Sequence, residues 1–268
     1  FSAVSSEQAV TQHNLQAIVV GGGVVTEPAV VELALNQPSW TRSSQIADRI
    51  NEVFRKEAPD RDPTAVAKTD LIIRINVPTR YTRDVGRFLD LMEHVYTQRG
   101  STFEVDQARR LGEIVTLTPR EARRVSLAWQ GLGKRALEVI RSYYNHPNLV
   151  VRLAALDAGV RLEDQLAADP LLDLSQDADP KVRLEVAQTL GALHDSLRGT
   201  RVLLTLLDDS DTRVRIAAYE SLVQLDSQHI QRVTFTMDKQ PKFDLDIVPS
   251  EKPLIFISTR YGSRIVIF

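Results

Sequence analysis

Five histidines, His13, His94, His146, His194 and His229, are the side chains best suited to metal binding or proton transfer near neutral pH. None has a second histidine or a carboxylate at a metal-binding spacing, so each reads as a surface or turn residue. Gly21-Gly22-Gly23 follows an apolar run, where a glycine-rich turn could cradle a phosphate. No Lys-Ser/Thr follows it, and Val24-Val25 does not start a helix; a strand kink or bulge is the better reading. Asp60, Asp62 and Asp70 lack the spacing of a calcium loop. No Gly-x-Ser-x-Gly elbow occurs. With 0 cysteines, thiolate nucleophiles, thiolate zinc sites and disulfides are excluded. No catalytic, metal or cofactor constellation is legible.

The charges that recur are Arg152, Arg183 and Arg215. They would form a column. One reading pairs each with a turn aspartate, such as Asp179 or Asp211, or with a neighbouring repeat. The other offers the column to an acidic partner. Arg109, Arg110, Arg120, Arg123, Arg124, Lys134 and Arg135 make a denser basic stretch. It lacks interleaved aromatics and reads as a solvated helix face rather than a nucleic-acid site.

The elements that would position these residues change character along the chain. The 268 residues are 43% hydrophobic and 25% charged, as in a folded protein with a sizeable core. The net charge of −2 excludes a strong global field for nucleic acid or anionic membrane. No apolar run reaches the roughly 18 residues of a membrane span. Residues 1–104 mix patterns. Leu15–Val20 and Val30–Asn36 read as strands, and a helix over about 42–56 follows a Ser39 or Thr41 cap. Ala58–Lys68 reads as a polar loop. Leu71–Val77 is a third strand, and a helix over about 82–97 carries Val85, Phe88, Leu89, Met92 and Val95 on one face. Residues 229–268 read as short strands. In Phe243–Val248, Phe243, Leu245 and Ile247 share a face. Tyr261-Gly262 suggests a hairpin turn. The chain stops inside a strand pattern, which reads as a longer protein trimmed or as a disordered tail.

Residues 105–228 repeat. Val151-Arg152-Leu153-Ala154-Ala155-Leu156 aligns with Val182–Ala187 and with Val214–Tyr219, at spacings of 31 and 32 residues. Each copy follows a turn containing Asn148, Asp179 or Asp211, and each follows a shorter apolar helix. Paired helices at a fixed period predict a solenoid, because one pair cannot bury its apolar face alone. Three pairs are expected. The Asp-x-x-Val-Arg-x-x-Ala pattern resembles the short class of HEAT repeats, over about 134–226.

A second resemblance lies in the first hundred residues. Gly22-Gly23-Val24-Val25-Thr26-Glu27, Val31–Thr41 and Gln45-Ile46-Ala47-Asp48-Arg49-Ile50-Asn51 resemble the flagellar basal-body P-ring protein family. There a Leu-x-Leu-x-Asn-x-Pro-Asp-Phe-Thr strand precedes an Arg-Ile-Ala-Asp-x-Ile-Asn helix; Ser39-Trp40 stands here in place of Asp-Phe. Ile73–Pro78 and Phe88–Glu93 fall in the family's order. Phe256–Ile267, with Arg260 and Gly262, is similar to its Asn-Glu-Arg-Thr-Gly hairpin. It departs by Ser258-Thr259 and by one extra residue after Gly262. The resemblance implies a non-catalytic periplasmic subunit of a homo-oligomeric ring around the flagellar rod, with protein partners and no cofactor. The expected fold is α+β: a P-ring-like α/β domain, an inserted HEAT-like array, and C-terminal strands over 243–268 that join the sheet of residues 15–77. The alternatives are a HEAT scaffold or adaptor with an accessory α/β domain, and an enzyme subunit.

Overall fold

The computed structural model describes residues 31–55, 62–82, 84–98, 100–237, 240–258 and 262–268. The strand expected over Leu15–Val20, the Gly21–Gly23 kink and the Tyr261 turn residue lie outside these residues.

The first unit runs β1 (Val31–Ala34), α1 (Trp40–Val53), β2 (Ala65–Ala67), β3 (Ile72–Ile75) and α2 (Val85–Met92). Ser39 caps α1, its hydroxyl accepting from the Arg42 amide at 3.2 Å. Asp84 caps α2 in the same way, accepting from the Arg87 amide at 3.1 Å. That places the second helix within the expected span but shorter. β3 lies between β1 and β2 and is antiparallel to both. β2 falls in the stretch expected to be a loop. Its three residues are too short to show a period, and it is held from outside. Asn51 donates to the Ala65 carbonyl and accepts from the Ala65 amide, both at 2.8 Å. Phe54 and Phe88 meet edge to face beneath this sheet, with centroids 5.0 Å apart.

The solenoid follows: α3 (Ser101–Leu117), α4 (Ala122–Leu132), α5 (Leu137–Ile140), α6 (Leu149–Arg161), α7 (Ala168–Leu174), α8 (Pro180–Leu190), α9 (Leu197–Leu206) and α10 (Thr212–Gln224). Short 3₁₀ turns flank α5. α4 packs on α6, α6 on α8 and α8 on α10. The pair α3/α4 therefore stands ahead of the three expected pairs. It lacks the Val-Arg signature, so periodicity alone did not count it. Asn148, Asp179 and Asp211 cap α6, α8 and α10, as the turn residues predicted. Each cap contributes about 1 kcal/mol. The aligned Val151, Val182 and Val214 are all buried. At Gly159 a Cβ would collide with the Tyr144 hydroxyl. Only a glycine lets that hydroxyl pass and donate to Asp164 at 2.8 Å.

The last strands are β4 (Gln231–Met237), β5 (Gln240–Ile247), β6 (Ile255–Ser258) and β7 (Arg264–Ile267), in the spatial order β4-β5-β7-β6. They form their own sheet. Among the described residues none pairs with β1, β2 or β3, which corrects the expectation that 243–268 complete the first sheet. The first unit packs at one end of the array, where Leu127 of α4 enters its core. The second sheet packs at the other end, on α10. Four stacked pairs keep the two sheets apart. The chain is a mixed α+β structure with a long helical middle.

Val182 has only 6% of its surface exposed. Val182→Asp should lower stability by about 3–5 kcal/mol, against a total of roughly 5–15 kcal/mol. Thermal melting followed by circular dichroism reads this out. An unchanged midpoint would show that the repeat register is wrong.

Candidate functional site

The arginine column turns inward on the array's own turns. Arg152 Nε donates to the His146 carbonyl at 3.0 Å. Arg183 Nη1 donates to the Asp177 carbonyl at 2.7 Å. Its Nε and Nη2 grip Asp209 of the next repeat bidentately, at 2.7 and 2.8 Å. Burial pushes the Asp209 carboxyl up, but Arg183 and the Asp211 amide together hold it below the usual range. Arg215 Nε donates to the Leu207 carbonyl at 3.0 Å, and its Nη2 reaches Ser250 and the Lys252 carbonyl in the C-terminal segment. The aspartates named from sequence as partners do other work. Asp179 and Asp211 cap helices, and Asp209 is the residue gripped. The basic stretch is also interleaved with acids. Arg109 meets Asp106, Arg123 meets Asp90, Arg124 meets Glu121, Lys134 meets Glu163 and Arg135 meets Glu104.

Open surface lies instead on the side formed by α4, α6 and α8. A groove of about 670 Å³ runs from the start of α2 across these helices. Asp84, Arg87, Arg123, Asp157, Arg161, Lys181 and Glu185 line it. At its floor Asp157 is a junction. Its Oδ2 accepts from Ser126 Oγ at 2.7 Å and from Gln130 Nε2 at 3.3 Å. Its Oδ1 accepts from Arg161 Nε at 2.6 Å. Arg87 of α2 lies 3.8 Å away and donates to Gln130 Oε1 at 2.9 Å. Burial pushes the Asp157 carboxyl up, but Arg161 and Arg87 together overcome this and hold it low. Burial, followed by Arg161, pulls the Arg87 guanidinium down. The junction locks α2 to the array, so the groove floor is rigid. Lys181 and Glu185 stand one turn apart on α8 and have no ion-pair partner among the described residues. Burial first, then nearby Asp157, raises the Glu185 carboxyl. The groove thus offers a pair of opposite charges one turn apart.

Sequence reasoning missed this site. The signal was Asp157 and Arg161 at an i,i+4 spacing inside a helix that is otherwise apolar except for Arg152. It also missed the anchor of the second sheet. Asp246 is wholly buried and accepts from Tyr219 Oη at 2.7 Å, Arg232 Nε at 2.8 Å and Arg264 Nη1 at 3.1 Å. No cluster of three or more histidine, aspartate or glutamate side chains able to hold a metal occurs among the described residues. Among them too, no helix is long and apolar enough to cross a membrane.

These features define an α-solenoid flanked by a small α/β unit and a β-sheet. A family model of HEAT repeats matches residues 168–234, which span α7 to α10 and the start of β4. No curated protein matches the chain. HEAT repeats point to a protein-interaction scaffold.

Removing the Asp246 carboxylate takes away the nearer of the two carboxylates facing buried Arg264, Asp244 standing at 3.9 Å, and should cost about 3–5 kcal/mol at neutral pH. Burial raises the Asp246 carboxyl, but Arg232, Tyr219 and Arg264 lower it further, so its folded value is depressed. Its contribution is complete above the unfolded value of about 3.9 and fades as the pH falls through the lower folded value. Melting curves of the wild type and Asp246→Ala should differ widely at pH 7 and converge in strong acid. Curves that stay parallel would refute the anchor.

Proposed function

We propose that the chain is a non-catalytic structural subunit of the bacterial flagellar basal body. In this reading it is a P-ring-like protein of the periplasm whose HEAT array holds a further protein partner. The resemblance of residues 22–51 and 73–93 to the P-ring family carries the reading. The unit β1-α1-β2-β3-α2 contains most of those residues and is bolted to the array through Arg87 and Asp157. A ring component with an added arm needs such a rigid joint. Contacts between identical subunits in a closed ring would be heterologous. A scaffold or adaptor outside the flagellum is the second reading, and the HEAT match over 168–234 favours it.

The groove is the surface assigned to the partner in both readings. Its Lys181–Glu185 pair suits a segment that brings an acidic and a basic side chain in matching order. Exchanging the charges, as Lys181→Glu with Glu185→Lys, leaves net charge unaltered and should move stability by no more than about 0.5 kcal/mol. Affinity purification from the native cell should then lose the partner while the melting temperature holds. Retention of every partner would clear the groove of this role.

The flagellar reading has its own test. Deletion of the gene should abolish swimming, and tagged full-length protein should co-purify with basal bodies. Normal swimming, with the tagged protein in the cytoplasm, would overturn it and leave the adaptor.

A further inference from the structure

Only one of the two faces of the β4-β5-β7-β6 sheet is covered by the array. Register places Val233 and Ile265 on either side of Leu245, and Ile247 and Ile255 on either side of Ile267. Paired residues share a face, so one side of the sheet is apolar across all four strands. The charged side chains Asp246, Arg232 and Arg264 point the other way, against α10. A strand with this alternation ordinarily buries its apolar side. Here the side with these charges, which also carries Val266 and Phe256, is covered, and the wholly apolar side is open. Ile255 and Ile257 are 72% and 73% exposed, and Val233, Phe235, Ile247 and Ile267 lie between 40% and 47%. These six side chains belong to neither hydrophobic core. They expose on the order of 600 Å², at the upper end for the largest apolar patch of a typical monomer.

We propose that this face is the interface of a two-fold dimer, in which the sheets of two copies of the chain pack face to face. Size is the first argument. Two such faces bury about 1,200 Å² in total, the lower bound of a stable interface. Charge is the second. Among the strand residues that the ladder pairs, this face carries apolar side chains and Gln231, with Lys242 at the irregularity in β5 beside it, so the face offers little by which charge could select a partner. A uniformly apolar face is complementary to itself, which is the requirement of an isologous contact. Geometry is the third. Two twisted sheets stack about 10 Å apart with strands within about 30°, and their inward side chains interdigitate. The inference is independent of the flagellar reading.

Sedimentation velocity on the full chain over a dilution series tests it. The wild type should be a dimer that dissociates on dilution. Ile255→Glu with Ile257→Glu should be monomeric throughout with an unchanged far-ultraviolet dichroism spectrum, the dissociation constant rising about 100-fold or more. Val233→Lys, on the opposite edge of the same face, is a second variant with the same expected result, should the first fail to fold. A wild type that is monomeric at every concentration overturns the proposal. Dimers that survive in both variants overturn it as well.

Discussion

A short helix pair cannot bury its own apolar side, and the rest of this molecule follows from that constraint. In the array the core is shared between neighbours. Val151, Val182 and Val214 occupy one aligned position in three successive pairs, and each is covered by the pair beside it. The stack therefore lengthens without thickening, and its stability is roughly a sum over neighbouring contacts. A single row of pairs also has two ends, each exposing apolar surface. The α/β unit closes the first through α2 and Leu127, and the last sheet closes the second through Val248, Val266 and Phe268.

Buried or half-buried carboxylates act as bolts at these joints. Asp157 ties α6 to α4 and α2, Asp164 ties the Arg141 and Tyr144 turn to the start of α7, and Asp246 ties the sheet to α10. A buried ion of this kind adds little net stability over a well-packed apolar replacement, but it is costly to break. Its value lies in direction. Each carboxylate accepts only at fixed angles, so it sets how one element sits on the next. No buried side-chain nitrogen or oxygen among the described residues is left without a partner.

Once the ends are capped, two kinds of surface stay open, and they differ in chemistry. The groove is charged on a rigid floor, with Lys181 and Glu185 standing free on α8. The outer face of the sheet is apolar and nearly uncharged. Charges give orientation and selectivity, whereas a broad apolar face gives association with little discrimination. The two surfaces lie on different elements, one on α2, α4, α6 and α8 and the other on β4 to β7.

Local spacing determined three of the four helix pairs by itself. The three Val-Arg copies, the Asn or Asp before each and the Ser39 cap are contacts within a few residues of chain, so a linear pattern carries them. The alternation of Phe243, Leu245 and Ile247 was equally legible as a shared face. What the sequence could not decide was which way that face would turn. That depended on whether Asp246 found Tyr219, 27 residues away and on another element. Tertiary structure alone also chose Asp209 over Asp211 as the partner of Arg183, because the choice is made by the stacking of one turn on the next. It likewise separated the two sheets, since strand pairing is set by which edges the folded array brings within hydrogen-bond reach and not by strand pattern. Helical contacts repeat every few residues and leave a period in the sequence; the contacts that join distant elements occur once each and leave none.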